Sequence, residues 1–132
     1  MKIMSESGVA AVEFALVSPV LILLFFVIIE FSIVLYDKAI ITNASREWAR
    51  SATVYNSDES DAVVKVKAEI DSYLSNHLIS LGGNNSPSVN VTTTGDNLTV
   101  SVNYTYDFLV LPNFTSLDTS LNLSGTTVMR ME

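Results

Sequence analysis

The residue of this chain with the clearest chemical potential is a carboxylate set inside an apolar run. Glu13 is the only ionisable side chain among the 21 residues from Val9 to Ile29. A helix needs ~20 residues at ~1.5 Å each to cross a bilayer core. An unpaired charge at the middle of such a helix costs ~2.5–3.5 kcal/mol on insertion scales, less near the interface, so a carboxylate kept there calls for a partner and a task. Around it stand the small residues Gly8, Ala10, Ala11, Ala15 and Ser18, which let neighbouring helices approach closely.

Other chemistry has no support. The chain has no cysteine and one histidine, His77, so thiol catalysis, a disulfide framework and thiolate metal sites are excluded, and His77 has no second ligand at metal spacing. His77 reads as a packing or surface residue. The acidic run Asp58, Glu59, Asp61 is not followed by a loop of alternating ligands around a central glycine, so it reads as a helix start and not a calcium site. No phosphate-cradling glycine loop and no nucleophile-with-base arrangement occurs. The expectation is a non-enzyme with no catalytic residues, no cofactor and no metal. Seven Asn-x-Ser/Thr matches, at positions 43, 84, 90, 97, 103, 113 and 122, follow from strands rich in Asn, Ser and Thr and are assigned no function.

The elements that position these residues are legible from periodicity. A helix from about Ser5 to Val54 would carry the apolar run and continue beyond it, with Phe31, Val34, Leu35, Ile41, Trp48 and Ala52 as one apolar stripe and Asp37, Lys38, Arg46, Glu47 and Arg50 mostly off it. Pro19 removes a backbone donor and predicts a kink; that kink reads at least as well as an ordinary membrane bend as it does as a functional hinge. Residues Asn56 to Asp61 read as a turn and helix start. The positions Ala62, Val63, Val66, Ile70, Tyr73, Leu74, Leu78 and Leu81 predict a second, amphipathic helix stopped by Gly82-Gly83. From Ser88 the period becomes two: Val89 and Val91, a turn at Thr94-Gly95-Asp96-Asn97, then Leu98, Val100, Val102, Tyr104 and Tyr106 predict a hairpin. A third strand is expected from about Leu121 to Met131, after a loop in which Leu109, Val110, Leu111 and Phe114 form an apolar patch.

The expected fold is therefore α+β: a long N-terminal transmembrane helix, kinked at Pro19, continuing into a small domain of one amphipathic helix packed on a three-stranded antiparallel sheet. The expected divisions are a leader over 1–8, a transmembrane and extended helix over 9–55, and an outer domain over 56–132. That outer segment holds nine Asp/Glu against three Lys/Arg, which should repel nucleic acid and anionic lipid. A domain of about 77 residues has a thin core, so self-association is plausible. A secretory signal has a shorter apolar core of ~7–15 residues and a cleavage site after it, so a permanent anchor is favoured. Lys2 competes with Lys38, Arg46 and Arg50 across the span, and charge counting leaves the orientation open.

Gly8 followed by Glu13-Phe14 and a long apolar helix resembles the class III signal of prepilins. More narrowly, the run Ala10-Ala11-Val12-Glu13-Phe14-Ala15-Leu16-Val17-Ser18-Pro19, with Ile29-Glu30-Phe31, the stretch from Asn43 to Arg50 and the closing Thr127-Val128-Met129-Arg130, resembles the TadE-like pseudopilins of the tight-adherence (Flp) pilus. The resemblance implies cleavage between Gly8 and Val9 by a prepilin peptidase, with Glu13 and Phe14 as recognition residues. It implies other pilin and pseudopilin subunits, the inner-membrane assembly machinery and the lipid bilayer as partners, and no nucleic acid. It also implies a bacterial inner-membrane protein with its N-terminus cytoplasmic and its C-terminal domain periplasmic, with incorporation into the extracellular pilus as one destination. Cleavage would give Val9 a free α-amine, largely protonated near neutral pH at its reference pKa of roughly 7.7–8.0, as counter-ion to Glu13 in the same or a neighbouring subunit. The competing reading is a single-pass anchored binding module that is never cut.

Overall fold

The computed structural model of the protein describes residues 6–54, 59–83, 86–110 and 120–130. Helix α1 runs from Glu6 to Val54 over 49 residues, about 74 Å at ~1.5 Å per residue. It passes through Pro19 without a break. Helix α2 spans Glu59–His77, and three strands follow: β1 (Ser88–Thr94), β2 (Asn97–Asp107) and β3 (Ser120–Arg130). They form an antiparallel sheet in the order β1-β2-β3. The fold is thus α+β, with an N-terminal helix long and apolar enough to cross a membrane. Leu111, Pro112 and Phe114 of the expected apolar loop, Asn56 to Asp58 of the expected turn, and Met1 to Ser5 of the expected leader lie outside the described residues.

Strand alternation does the work expected of it. Leu98, Val100, Val102, Tyr104 and Tyr106 of β2 are all buried, because side chains two apart share a face of the pleat. The register pairs Val102 with Val89 on β1 and with Gly125 on β3. Gly95 holds φ at +59° as the first central residue of the two-residue β1–β2 connection, the position a type II′ hairpin turn reserves for glycine.

The core is shared by every element. As expected, α2 packs on the sheet side through Val66, Ile70 and Leu74, but the outer half of α1 also covers the sheet, contributing Val34, Ile41, Ala44, Ala49 and Ala52. Gly125 makes that contact close: a Cβ there would sit 2.9 Å from Ile41 Cγ2 and 3.1 Å from the Ile41 carbonyl oxygen. Beside it, the Ser45 and Thr127 hydroxyls meet at 2.9 Å.

Two expectations are corrected. The buried stripe of α1 is rotated from the expected one: Leu35 and Phe31 are exposed, whereas Asp37, expected off the apolar face, is fully buried together with Glu30. The second helix ends at His77, short of the expected Gly82-Gly83. The apolar period continues through buried Leu78, but the next amide, on Ile79, donates 3.1 Å to Asp37 Oδ1 on α1. A side chain of another element thus takes the bond that a further helical turn would have made.

Candidate functional site

Two groups of residues on α1 carry the chemistry. The first is the N-terminal stretch expected from the sequence to act as a processing signal. Gly8, Val9, Glu13 and Phe14 lie on exposed helix surface, and Glu13 has no ion pair among the described residues. Gly8 is informative because nothing in the fold requires it. A Cβ at that position would meet no atom within 4 Å, and the positive-φ glycines are Gly83 and Gly95. Glycine within a helix interior costs ~1 kcal/mol relative to alanine, and no contact or backbone angle at this position calls for one. Pro19 is exposed on the same apolar half.

The second group was missed by sequence reasoning. Glu30 and Asp37 are seven residues apart, two turns, and so share one face of α1 about 10 Å apart along its axis. Both are fully buried. Glu30 Oε1 accepts from the Leu109 amide at 2.5 Å, and its two oxygens each lie 3.4 Å from the Val110 amide. Asp37 accepts from Ile79, and its other oxygen has no partner among the described residues. The two carboxylates therefore fasten two separate chain segments, 78–80 and 108–110, to α1. The signal for them lay in the spacing 30, 34, 37, 41, an i, i+4, i+7 face that interleaves Glu30 and Asp37 with Val34 and Ile41.

Burial shapes the protonation of this region. Asp37, about 12 Å past Ile29 along the helix, has its carboxyl pushed above the ordinary value by burial, opposed by the Ile79 amide. The Tyr106 phenol is pushed up to about 12 by burial, with the charges of Glu30 and Asp37 adding to it. Its hydroxyl has no hydrogen-bond partner among the described residues. Burial also raises Tyr104, the Ser80 hydroxyl opposing and Asp37 and Asp107 assisting. No group of His, Cys, Asp and Glu that could hold a metal occurs among the described residues. His77 is exposed and stacks on Tyr73 at 4.1 Å. An open groove of about 260 Å³ lies between α1 and α2, lined by Asn43, Ala44, Glu47, Trp48 and Tyr73. What the carboxylates can do is fix backbone; neither has a nucleophile or a second acid placed to react with it.

One exposed apolar helix of membrane-spanning length, carrying a small α+β domain on its outer half, is compatible with a single-pass membrane anchor. Residues 8–50 match the family model described as TadE-like protein, which is consistent with a TadE-like protein of the tight-adherence system. The match covers the signal and both buried carboxylates of α1, while α2 and the sheet lie beyond it. No curated protein and no solved structure matches the chain.

Proposed function

We infer that this chain is a minor pseudopilin: a non-enzymatic structural subunit that supports assembly or initiation of a tight-adherence pilus after a prepilin peptidase cuts between Gly8 and Val9. The observation that carries the reading is the match over residues 8–50, combined with a glycine at position 8 that the fold itself does not need. In this reading α1 anchors the protein in the bacterial inner membrane, N-terminus inward, with the outer domain in the periplasm. Once cut, the Val9 amine neutralises Glu13 in the same helix, ~6 Å away along the axis, or in the next subunit, where the pair sets axial register. Pairing offsets the cost of holding a carboxylate in an apolar bundle. The exposed small residues Gly8, Ala10, Ala11 and Ala15 permit close helix approach. Adhesion and biofilm formation follow from the pilus and not from chemistry on this chain.

Intact-mass analysis of the protein expressed with and without its cognate prepilin peptidase tests this. A start at Val9 only when the peptidase is present supports the pseudopilin; a start at Met1 under both conditions makes the chain an uncut anchored binding module. Gly8→Leu should block cutting without disturbing the fold, since the space around Gly8 is open. Glu13→Gln should fail to support wild-type pilus assembly; a variant that is cut normally and still assembles as wild type would remove the register role.

A further inference from the structure

The outer domain has a direction. Along α1, Lys38 reaches the Ser124 carbonyl, Ile41 packs on Gly125 and Ser45 meets Thr127, so β3 climbs with the helix and antiparallel β2 descends toward its apolar half. The descending end of β2 leads into Phe108, whose ring lies 6.2 Å from that of Phe31, and into Leu109, bonded to Glu30. Leu121 pairs with Tyr106 at this same lower end. Ile79 is held there by Asp37, and Leu81 adjoins Gly82, which packs against Asp107.

Exposed large apolar side chains outside α1 are Val64, Ile79, Leu81, Leu109, Leu121 and Val128 among the described residues. Four of the six therefore gather at the end where α1 leaves the domain. Among the described residues the acidic groups near them are withdrawn, Glu30 and Asp37 being buried and Asp107 half-buried, while the exposed Lys38, next to Asp37, stands ~12 Å farther along the helix than Glu30, at the upper margin of the patch. The opposite end carries the exposed Asp96–Arg130 pair. On α1 itself, Ile28, Phe31, Leu35 and Tyr36 continue the exposed apolar surface beyond Ile29.

We propose that the lower end of the domain, formed by Ile79, Leu81, Leu109 and Leu121, lies in the bilayer interface, so that the domain rests on lipid and does not stand clear of it. The proposal depends on the anchor reading above and extends it. Lipid is the occupant because the patch is continuous with the apolar surface of the span and, among the described residues, its members Ile79, Leu81, Leu109 and Leu121 are all uncharged, whereas interfacial segments bury apolar side chains just below the headgroups. It moves the membrane-embedded segment outward, from the Val9–Ile29 read in sequence to about Phe14–Tyr36. Those 23 residues measure ~34 Å, which fits a ~30 Å core at the ordinary ~20° tilt. Glu13 then sits at the inner boundary and Lys38 at the outer headgroups. Glu30, the one charge left inside, is sealed under the domain with backbone amides on its oxygens.

The absence of cysteine makes the test direct. Single-cysteine proteins Leu24→Cys, Leu109→Cys, Leu121→Cys and Val128→Cys are labelled with an environment-sensitive fluorophore. They are reconstituted at low protein density in phosphatidylcholine vesicles doped with phosphatidylcholine spin-labelled either near the headgroup or in mid-chain. Position 24 should be quenched by the mid-chain label, positions 109 and 121 should be blue-shifted and quenched by the shallow label, and position 128 should be quenched by neither. Quenching at 24 with 109 and 121 behaving like 128 overturns the resting domain and leaves the anchor intact. No quenching at 24 removes the anchor reading itself. A blue shift at 109 and 121 that needs high protein density and shows no lipid quenching assigns the patch to a second copy and overturns the proposal. Leu121→Cys keeps the test decisive if substitution at 109 disturbs the Glu30 contact.

Discussion

Replacing Glu30 by alanine should loosen the 108–110 segment from α1 and lower the stability of the whole outer unit. The side chain is fully buried and accepts from Leu109 at 2.5 Å and from Val110 at 3.4 Å. The bonds are part-buried, and a hydrogen bond to a carboxylate contributes ~1.5–3 kcal/mol. Taking the Val110 bond below that range for its length, the pair should cost ~2–4 kcal/mol, a large share of the ~5–15 kcal/mol available to a small fold. At ~4–8 °C per kcal/mol for a domain near this size, the melting midpoint should fall by at least about 8 °C. Glu30→Gln keeps one carbonyl oxygen of the same reach. It loses only the difference between a charged and a neutral acceptor, about 1 kcal/mol, and should fall between wild type and alanine. The assay is thermal unfolding in detergent micelles followed by the near-ultraviolet signal of the buried tyrosines, with hydrogen exchange at the Leu109 and Val110 amides as the local readout. Alanine melting with wild type, and both amides exchanging at wild-type rates, would refute the account of Glu30 as the fastening of this segment.

Three further outcomes are expected. Asp37 has a folded-state value raised by burial, so the folded protein holds its proton more tightly than the unfolded chain does. Its contribution to stability is fullest below the ordinary value of 3.8 and is lost as pH rises through the raised one; Asp37→Asn should flatten that decline in denaturant midpoints measured across the acid range. Tyr106 should deprotonate at about 12, the highest step in a phenolate absorbance titration. Since its hydroxyl has no partner among the described residues, Tyr106→Phe should remove that step while changing stability at neutral pH by less than about 1 kcal/mol. Gly125→Ala places a methyl 2.9 Å from Ile41 Cγ2 and should destabilise by ~1–3 kcal/mol as helix and strand are forced apart, whereas Gly95→Ala would act through its positive φ and disturb only the hairpin turn.

How much of this was legible in the sequence depends on which force placed each residue. The hairpin was readable because β2 buries every second side chain and the turn glycine announces itself. The third strand was readable to within a residue, Ser120–Arg130 against an expected start at Leu121. The end of α2 was not, because a local apolar period cannot report that the Ile79 amide leaves the helix for a carboxylate 42 residues earlier. The stripe on α1 was misplaced for the same reason. Sequence reasoning assigns carboxylates to the solvated face, since Asp and Glu are almost never fully buried unless paired. Here the partners are backbone amides of distant segments, which have no signature in side-chain type. Gly8 and Glu13 stood out in the sequence because a glycine and a charge are both out of place in an apolar helix, and both lie on its exposed surface.

The placement of Glu30 and Asp37 bears on how force or rearrangement passes between span and domain. A small domain joined to its anchor by a flexible linker would be free to rotate about it. In this protein the anchor helix is itself part of the domain core, through Ile41, Ala44 and Ala49. At the boundary the helix also accepts hydrogen bonds from the two segments that approach the apolar half. A carboxylate holding backbone amides is stronger than a neutral acceptor, and its directional bonds restrict rotation in a way that apolar contact alone does not. The sheet is therefore oriented by the helix, and a tilt or axial shift of α1 carries the packed strands with it. Loss of Glu30 should free the 108–110 segment locally, while Ile41, Ala44 and Ala49 keep the sheet on the helix.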